Sequence, residues 1–211
     1  MKKNKSVIIL LIAMILLSIT NILNIKIDGE VLKLSGISVI VGIIAYFVTR
    51  NSKTDGFNIK AIFKDFKNHP KAIVFSLLSF LSVILCTVIA NKFLPEFNEH
   101  VNNRIDFATS SDLAKTILML AVMTLGEEIA WRAFFQKKTT KMIKFIPSII
   151  LTSVLFALGH YSEGSFTIVA YDLLFVFIDS VTYGLVFKET DNAWCSWIAH
   201  LLADVLAIFL M

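Results

Sequence analysis

Glu127, Glu128 and Arg132 stand within Leu113–Phe135, a run that is otherwise largely apolar. A single charge near the middle of a membrane-spanning helix costs ~2.5–3.5 kcal/mol on insertion scales. Packing does not require carboxylates at that depth, so their presence marks a functional site. A second apolar run ends in His160, and a third carries His200 and Asp204. Side chains of these types can activate a water, stabilise an oxyanion, ligate a metal or relay a proton.

Glu128 and Arg132 are four residues apart, the helical spacing at which opposite charges meet. Pairing lowers the cost of placing either in lipid and gives both a structural role. Glu127 is rotated by about 100° from Glu128 and has no local partner as good, which makes it the candidate general base. Four readings of the set stay open. Glu127, His160, His200 and Asp204 fit a glutamate-activated water attacking a peptide carbonyl. The same four fit a metal hydrolase, with two histidines and a carboxylate as ligands. Intramembrane acids and histidines also build proton pathways, and polar side chains hold helices together.

Helices must position these groups. Of the 211 residues, 56% are hydrophobic and 17% charged, with a mean hydropathy of +0.75. Soluble domains are less apolar and more charged, so the chain reads as an integral membrane protein. The formal charge of +4 comes from lysines flanking apolar runs, and no basic stripe interleaved with aromatics suggests nucleic acid as a partner. Cys86 and Cys195 lie far apart in apolar runs without a CxxC pattern, which argues against a disulfide or a zinc–thiolate site.

Crossing a ~30 Å hydrocarbon layer takes about 20 apolar residues. Seven stretches qualify or nearly do: Val7–Ile25, Leu34–Val48, Ala72–Ala90, Leu113–Phe135, Ile146–His160, Phe166–Phe187 and Ala193–Met211. They are continuously apolar without alternation, hence helices and not a barrel. The first follows a basic start but has no small-residue cleavage site after it, so it reads as a retained span. Fourteen of the twenty Lys and Arg fall at one set of loop ends, five at the other, and Arg132 lies within a span. That bias predicts a cytoplasmic N-terminus. Between the second and third spans, Asn58–Ala72 places Ile59, Ile62, Phe63 and Phe66 on one face and predicts an amphipathic helix on the cytoplasmic surface. Asn91–Asp112 is expected to be a polar outer loop, able to hold a short helix or gate the core. His69 and His100 are expected to be solvated, and Trp131, Trp194 and Trp197 to pack or anchor at the interface. Asp172 and Asp179, seven apart on the sixth span, share a face; hydrogen bonding to nearby Ser, Thr or Tyr is preferred for them over lining a substrate path.

"EEIAWR" followed by Phe134 and Phe135, then "FALGH", then "HLLAD" within "NAWCSWIAHLLAD" resemble the EExxxR, FxxxH and HxxxN/D motifs of the CPBP intramembrane proteases. That family includes type 2 CAAX prenyl endopeptidases, lysostaphin-resistance-A-like proteins and bacteriocin-processing or immunity proteins. The resemblance covers Leu113 to Met211. It implies that Glu127, helped by His160, activates the water, that His200 and Asp204 stabilise the oxyanion or orient the water, and that Glu128 and Arg132 support the site. It leaves the cofactor open between a divalent metal such as zinc, held by Glu127, His160, His200 and Asp204, and a metal-free glutamate mechanism. Asp204 stands where some members have Asn; an ionised Asp cannot donate to an oxyanion but ligates a metal better.

The expectation is therefore an all-α polytopic membrane protein with about seven spans. Residues 1–112 supply N-terminal spans and the amphipathic segment, and residues 113–211 a four-helix catalytic core. The expected function is hydrolysis of a peptide bond in a membrane-associated protein or peptide. The basic, Phe-rich, Cys-poor composition points to a bacterial plasma membrane, where a peptide pheromone, bacteriocin leader or membrane regulator is a better substrate than a prenylated chain. A non-proteolytic immunity or signalling scaffold is the alternative, and a small proton-coupled carrier the third option, although the sequence shows no internal repeat to favour it.

Overall fold

A computed structural model describes residues 2–20, 22–23, 26–27, 30–31, 34–106, 109–110 and 112–211. Each expected span contains a helix. They are α1 (Lys2–Ile19), α2 (Ser35–Thr49), α4 (Pro70–Phe93), α6 (Leu113–Glu128), α8 (Phe145–Gly159), α9 (Phe166–Thr190) and α10 (Ala193–Leu210). Shorter helices are α3 (Ile62–Asn68), α5 (Phe97–Ile105) and α7 (Lys137–Ile143). A two-residue antiparallel ladder pairs Lys26–Ile27 with Glu30–Val31. Helix α1 ends at Ile19, short of the expected Ile25; residues 24–25, Lys33 and residues 107, 108 and 111 of the expected loop lie outside the described residues. Among the described residues three helices, α4, α9 and α10, are long and apolar enough to cross a membrane, whereas Lys5–Ile19, α2 and α8 are apolar but shorter. Leu, Ile, Val and Phe side chains stay exposed along several of these helices, among them Ile40, Leu77, Leu81, Val88 and Leu174. Such outward apolar faces are what lipid contact requires.

Helix starts follow local chemistry. Pro70 opens α4 where its missing N–H costs nothing. The Asp112 carboxylate accepts from the Ala114 N–H, and the Asn192 side chain accepts from the Trp194 N–H. The fourth span departs from expectation. Beyond Glu128 the backbone continues as a π-helix over Ile129–Gln136, then as α7, without a break. All eight π-helical residues are buried. A wider turn is a means of seating Trp131, Arg132, Phe134 and Phe135 around one short stretch, and such turns cluster at functional sites.

Helix α9 packs along α4 and α8, and α10 lies against α4, α6 and α9. Helix α2 crosses the π-helical segment and α1. Gly42 permits that crossing: a Cβ there would fall 2.5 Å from the Ala130 Cβ and 2.9 Å from Met14.

The expected amphipathic segment is a 3₁₀ turn, Ile59–Ala61, plus α3, and it stops before the extended His69. Its apolar side chains do not all face one way. Ile62 and Phe66 pack against Ala72, Val83 and Tyr183, while Ile59 and Phe63 remain exposed. The segment is fastened to the α9–α10 turn: Asn192 Nδ2 donates to the Asn58 carbonyl and to Asp65, the Ala193 N–H donates to Gly56, and Phe57 stacks on Trp194.

Beside that turn, Lys137 Nζ reaches Asp55 at 2.7 Å and Asp191 at 2.8 Å. Burial by itself would raise the Asp55 carboxyl, but the Asn51 N–H and the Lys137 ammonium outweigh it and hold the carboxyl below its ordinary value. Burial would lower the Lys137 ammonium, and the two carboxylates overcome it and raise it. The carboxylate part of this stabilisation is present above pH 3.8 and fades as pH falls through the lowered folded value. The ammonium part is present below pH 10.5 and fades as pH rises through the raised one.

Two outcomes check the packing. Gly42→Val lowers the melting temperature in detergent, with an overpacking cost of about 1–3 kcal/mol, while Gly36→Ala, whose Cβ meets nothing within 4 Å, has a far smaller effect. Lys137→Met lowers the melting temperature by a margin that is constant around neutral pH, on the order of 1 kcal/mol per pair, and that shrinks in strong acid; a margin unchanged at about pH 3 contradicts the pairing.

Candidate active site

Three of the four expected catalytic residues converge at once. Glu127 lies in the last turn of α6, His160 caps the C-terminus of α8, and His200 lies mid-way along α10. Glu127 Oε1 is 3.9 Å from His160 Nε2, and Oε2 is 3.8 Å from His200 Nε2. Asp204, one turn beyond His200, places Oδ2 3.6 Å from the same Nε2. The Glu127 side chain keeps 18% of its surface and Asp204 35%, whereas His200 keeps 6%.

The orientation of each imidazole is set by its other nitrogen. His160 Nδ1 lies 2.8 Å from the Phe156 carbonyl, which only accepts, so Nδ1 carries the proton. Its Nε2 is left to face Glu127. His200 Nδ1 lies 3.0 Å from Glu128 Oε1, so a proton on Nδ1 is held there and Nε2 faces Glu127 and Asp204. Tyr183 stacks on His200 with centroids 4.4 Å apart, and Phe156 packs against both imidazoles.

Glu128 and Arg132 are fully buried beneath this layer. Arg132 Nε donates to Glu128 Oε2 at 3.2 Å, and Nη2 donates to Ser180 Oγ at 3.2 Å. Nη1 has no hydrogen-bond partner among the described residues, but the guanidinium lies over the Phe156 ring, 5.1 Å from its centroid. Trp197 Nε1 donates to the Ala121 carbonyl and ties α10 to α6.

A cavity of about 720 Å³ opens over these groups. Its walls include Glu127, His160, His200 and Asp204, together with Asp172, Asp179 and Arg104. It runs toward the bundle end that carries Ser35, Thr109, Ser162 and Met211, opposite the lysine-rich loops. The two glutamate–imidazole separations exceed a hydrogen bond, and a single water bonded to both sides spans such a gap. No three His, Cys, Asp or Glu among the described residues are grouped to hold a metal. The four expected ligands therefore do not fit a preformed metal site, and the metallopeptidase reading finds no support in this geometry.

Two histidines and an aspartate behave differently from expectation. His100 is 7% exposed, not solvated, and reaches both Ser162 Oγ and Asp172. Asp172 also pairs with Arg104, not with neighbouring hydroxyls. These contacts bind α5, within the expected loop, to α9 at the mouth of the cavity. His69 is half-buried at the break between α3 and α4. Trp131 is 2% exposed and belongs to the core. Cys86 and Cys195 are free and buried.

Residues 109–206 match the family model described as type II CAAX prenyl endopeptidase Rce1-like. That segment is similar to the Rce1-like family. The match contains Glu127, Glu128, Arg132, His160, His200 and Asp204, and it is the family the three motifs resemble. The family is one of CAAX-protease-type membrane endopeptidases, which together with the apolar helices makes this an integral membrane protein. No curated protein and no solved structure matches the chain.

The buried pair has a direct test. Arg132→Ala leaves Glu128 uncompensated and costs about 3–5 kcal/mol, read as loss of monodisperse protein on gel filtration. Glu127→Gln, which leaves the Glu128–Arg132 pair intact, elutes as wild type does. An Arg132→Ala protein as stable as wild type contradicts the structural role of the pair.

Proposed function

We propose that this protein is an intramembrane endopeptidase in which Glu127 activates the attacking water. The observation that carries the reading is the placement of Glu127 between two imidazole Nε2 atoms at 3.8–3.9 Å, facing a cavity. A water held between Glu127 and His160 loses a proton to Glu127 as its oxygen attacks the scissile carbonyl carbon. A protonated His200 donates Nε2–H to the oxyanion, while Glu128 on Nδ1 holds the ring in place. Asp204, 3.6 Å from Nε2, favours that protonated form and, as a carboxylate, acts on the imidazole and not on the oxyanion. When the C–N bond breaks, the proton on Glu127 passes to the leaving amine, and Glu127 is regenerated. Glu128 and Arg132 act only by support.

The chain is proposed to cross the bilayer about seven times with its N-terminus cytoplasmic, the lysine-rich ends inside and the cavity mouth toward the outer side. The substrate is a membrane-associated protein or peptide, and the setting a bacterial plasma membrane. The exposed Ile59 and Phe63 of the segment between α2 and α4 then rest on the inner lipid surface, beside Lys60, Lys64 and Lys67.

Glu127→Gln, reconstituted in lipid and given fluorogenic apolar peptides, is expected to lose at least about 10²-fold in cleavage rate, the usual weight of a general base. His160→Ala and His200→Ala fall in the same direction. Cleavage by Glu127→Gln at the wild-type rate removes the base assignment. Retention of the cellular phenotype by all three variants favours a scaffold.

A further inference from the structure

A single hydrogen bond does not fix the plane of an imidazole. Glu128 Oε1, at 3.0 Å, holds the Nδ1 end of His200, but the χ2 torsion of histidine is broad and lets the ring tilt about that end. In the proposed reaction Nε2, on the far side of the ring, must meet an oxyanion, and hydrogen bonds weaken steeply as their angle departs from linear. Tyr183 supplies the missing constraint. Its ring lies face to face with His200, with centroids 4.4 Å apart and planes inclined by 21°. It approaches from α9, whereas Glu128 belongs to α6 and the T-shaped contact of Phe156, at 5.8 Å, comes from α8. The Tyr183 ring is itself confined. It is 2% exposed and belongs to a buried cluster with Val83, Ala199 and Ala203. The Arg132 guanidinium carbon stands 6.0 Å from its centroid, within reach of a cation–π contact. Among the described residues its hydroxyl has no hydrogen-bond partner, so the contact with His200 is made by the ring alone.

We propose that Tyr183 is a positioning residue for His200: the face of its ring, and not its hydroxyl, holds the imidazole in the plane from which Nε2–H reaches the oxyanion. This rests on the endopeptidase reading above. Glu128 sets which nitrogen faces the cavity, and Tyr183 sets the direction in which that nitrogen points.

The test uses the full chain in lipid nanodiscs with fluorogenic apolar peptides. Tyr183→Leu, or Tyr183→Met should the leucine variant not fold, lowers kcat by about 10- to 10²-fold with KM within about twofold, as expected for a small misplacement of a reacting group. Tyr183→Phe keeps the ring and retains kcat. Val186→Ala, which truncates a buried neighbour in the same cluster, loses stability but not kcat. In a His200→Ala background the loss of the Tyr183 ring costs little more, because residues that act as a unit are not additive. An undiminished kcat in Tyr183→Leu or Tyr183→Met, an equal loss in Tyr183→Phe, or a loss that persists in full without His200 overturns the proposal. A spectroscopic arm separates the two claims. With isotope-labelled histidine, the Cε1–H resonance of His200, identified by its absence from His200→Ala, is a single line shifted upfield by the ring current in wild type and in Tyr183→Phe. In Tyr183→Leu or Tyr183→Met it moves downfield and broadens as the ring samples other tilts. That pattern in a protein that cleaves no peptide leaves the positioning standing and removes the endopeptidase reading, whereas cleavage with a resonance unchanged by loss of the ring does the reverse.

Discussion

Glu128 makes two contacts that the rest of the site depends on. One oxygen accepts from Arg132 on its own helix, and the other faces His200 Nδ1 on α10. A carboxylate with zero exposure is tolerable only when compensated, and the guanidinium one turn away does this. The same carboxylate then fixes the rotation of an imidazole 72 residues distant in sequence. Because His200 is held from behind, its Nε2 faces the cavity, and Glu127 next door is left without such a partner. Two adjacent glutamates thus differ because one is paired with Arg132 and His200 while the other stands at a cavity wall.

The remaining polar contacts keep the helices in register around that pair. At the lysine-rich end, Asn192 caps α10 and also ties it to Asn58 and Asp65, and Lys137 joins Asp55 to Asp191. At the other end, Arg104 and His100 fasten α5 to Asp172. Tyr171 donates to the Cys86 carbonyl and links α9 to α4. Interhelical hydrogen bonds of this kind matter in lipid, where apolar side chains gain little by leaving a solvent as apolar as themselves. Glycine provides the close approach elsewhere: a Cβ on Gly184 would meet Gln136 at 2.8 Å, and Gln136 donates to the Gly184 carbonyl instead.

Local spacing carried the parts of the site that were legible in sequence. The Glu128–Arg132 pair follows from a separation of four on one helix, and the candidate catalytic residues from the cost of placing charge within apolar runs. Hydropathy likewise located the long helices to within a few residues, apart from the end of α1. What escaped depends on contacts between distant segments. Nothing near His100 announces Asp172, and neither Asn192 nor Asp65 looks structural until the turns meet. The π-helix was not legible: its residues are all buried and packed against α2, α8 and α9, a set of neighbours that a linear sequence does not display. The shortness of α2 and α8 was visible in the lengths of their apolar runs, that of α1 was not, and length alone does not fix how many helices cross.

Direct observation of the cavity water is the most decisive measurement. A density map of the purified protein in a lipid nanodisc, at a resolution that shows ordered solvent, should contain a water within about 3 Å of both the Glu127 carboxylate and His160 Nε2. His200 Nδ1 should be bonded to Glu128 in the same map. A Glu127 side chain turned to the acyl chains, or one enclosed without solvent and far from both imidazoles, would contradict the account.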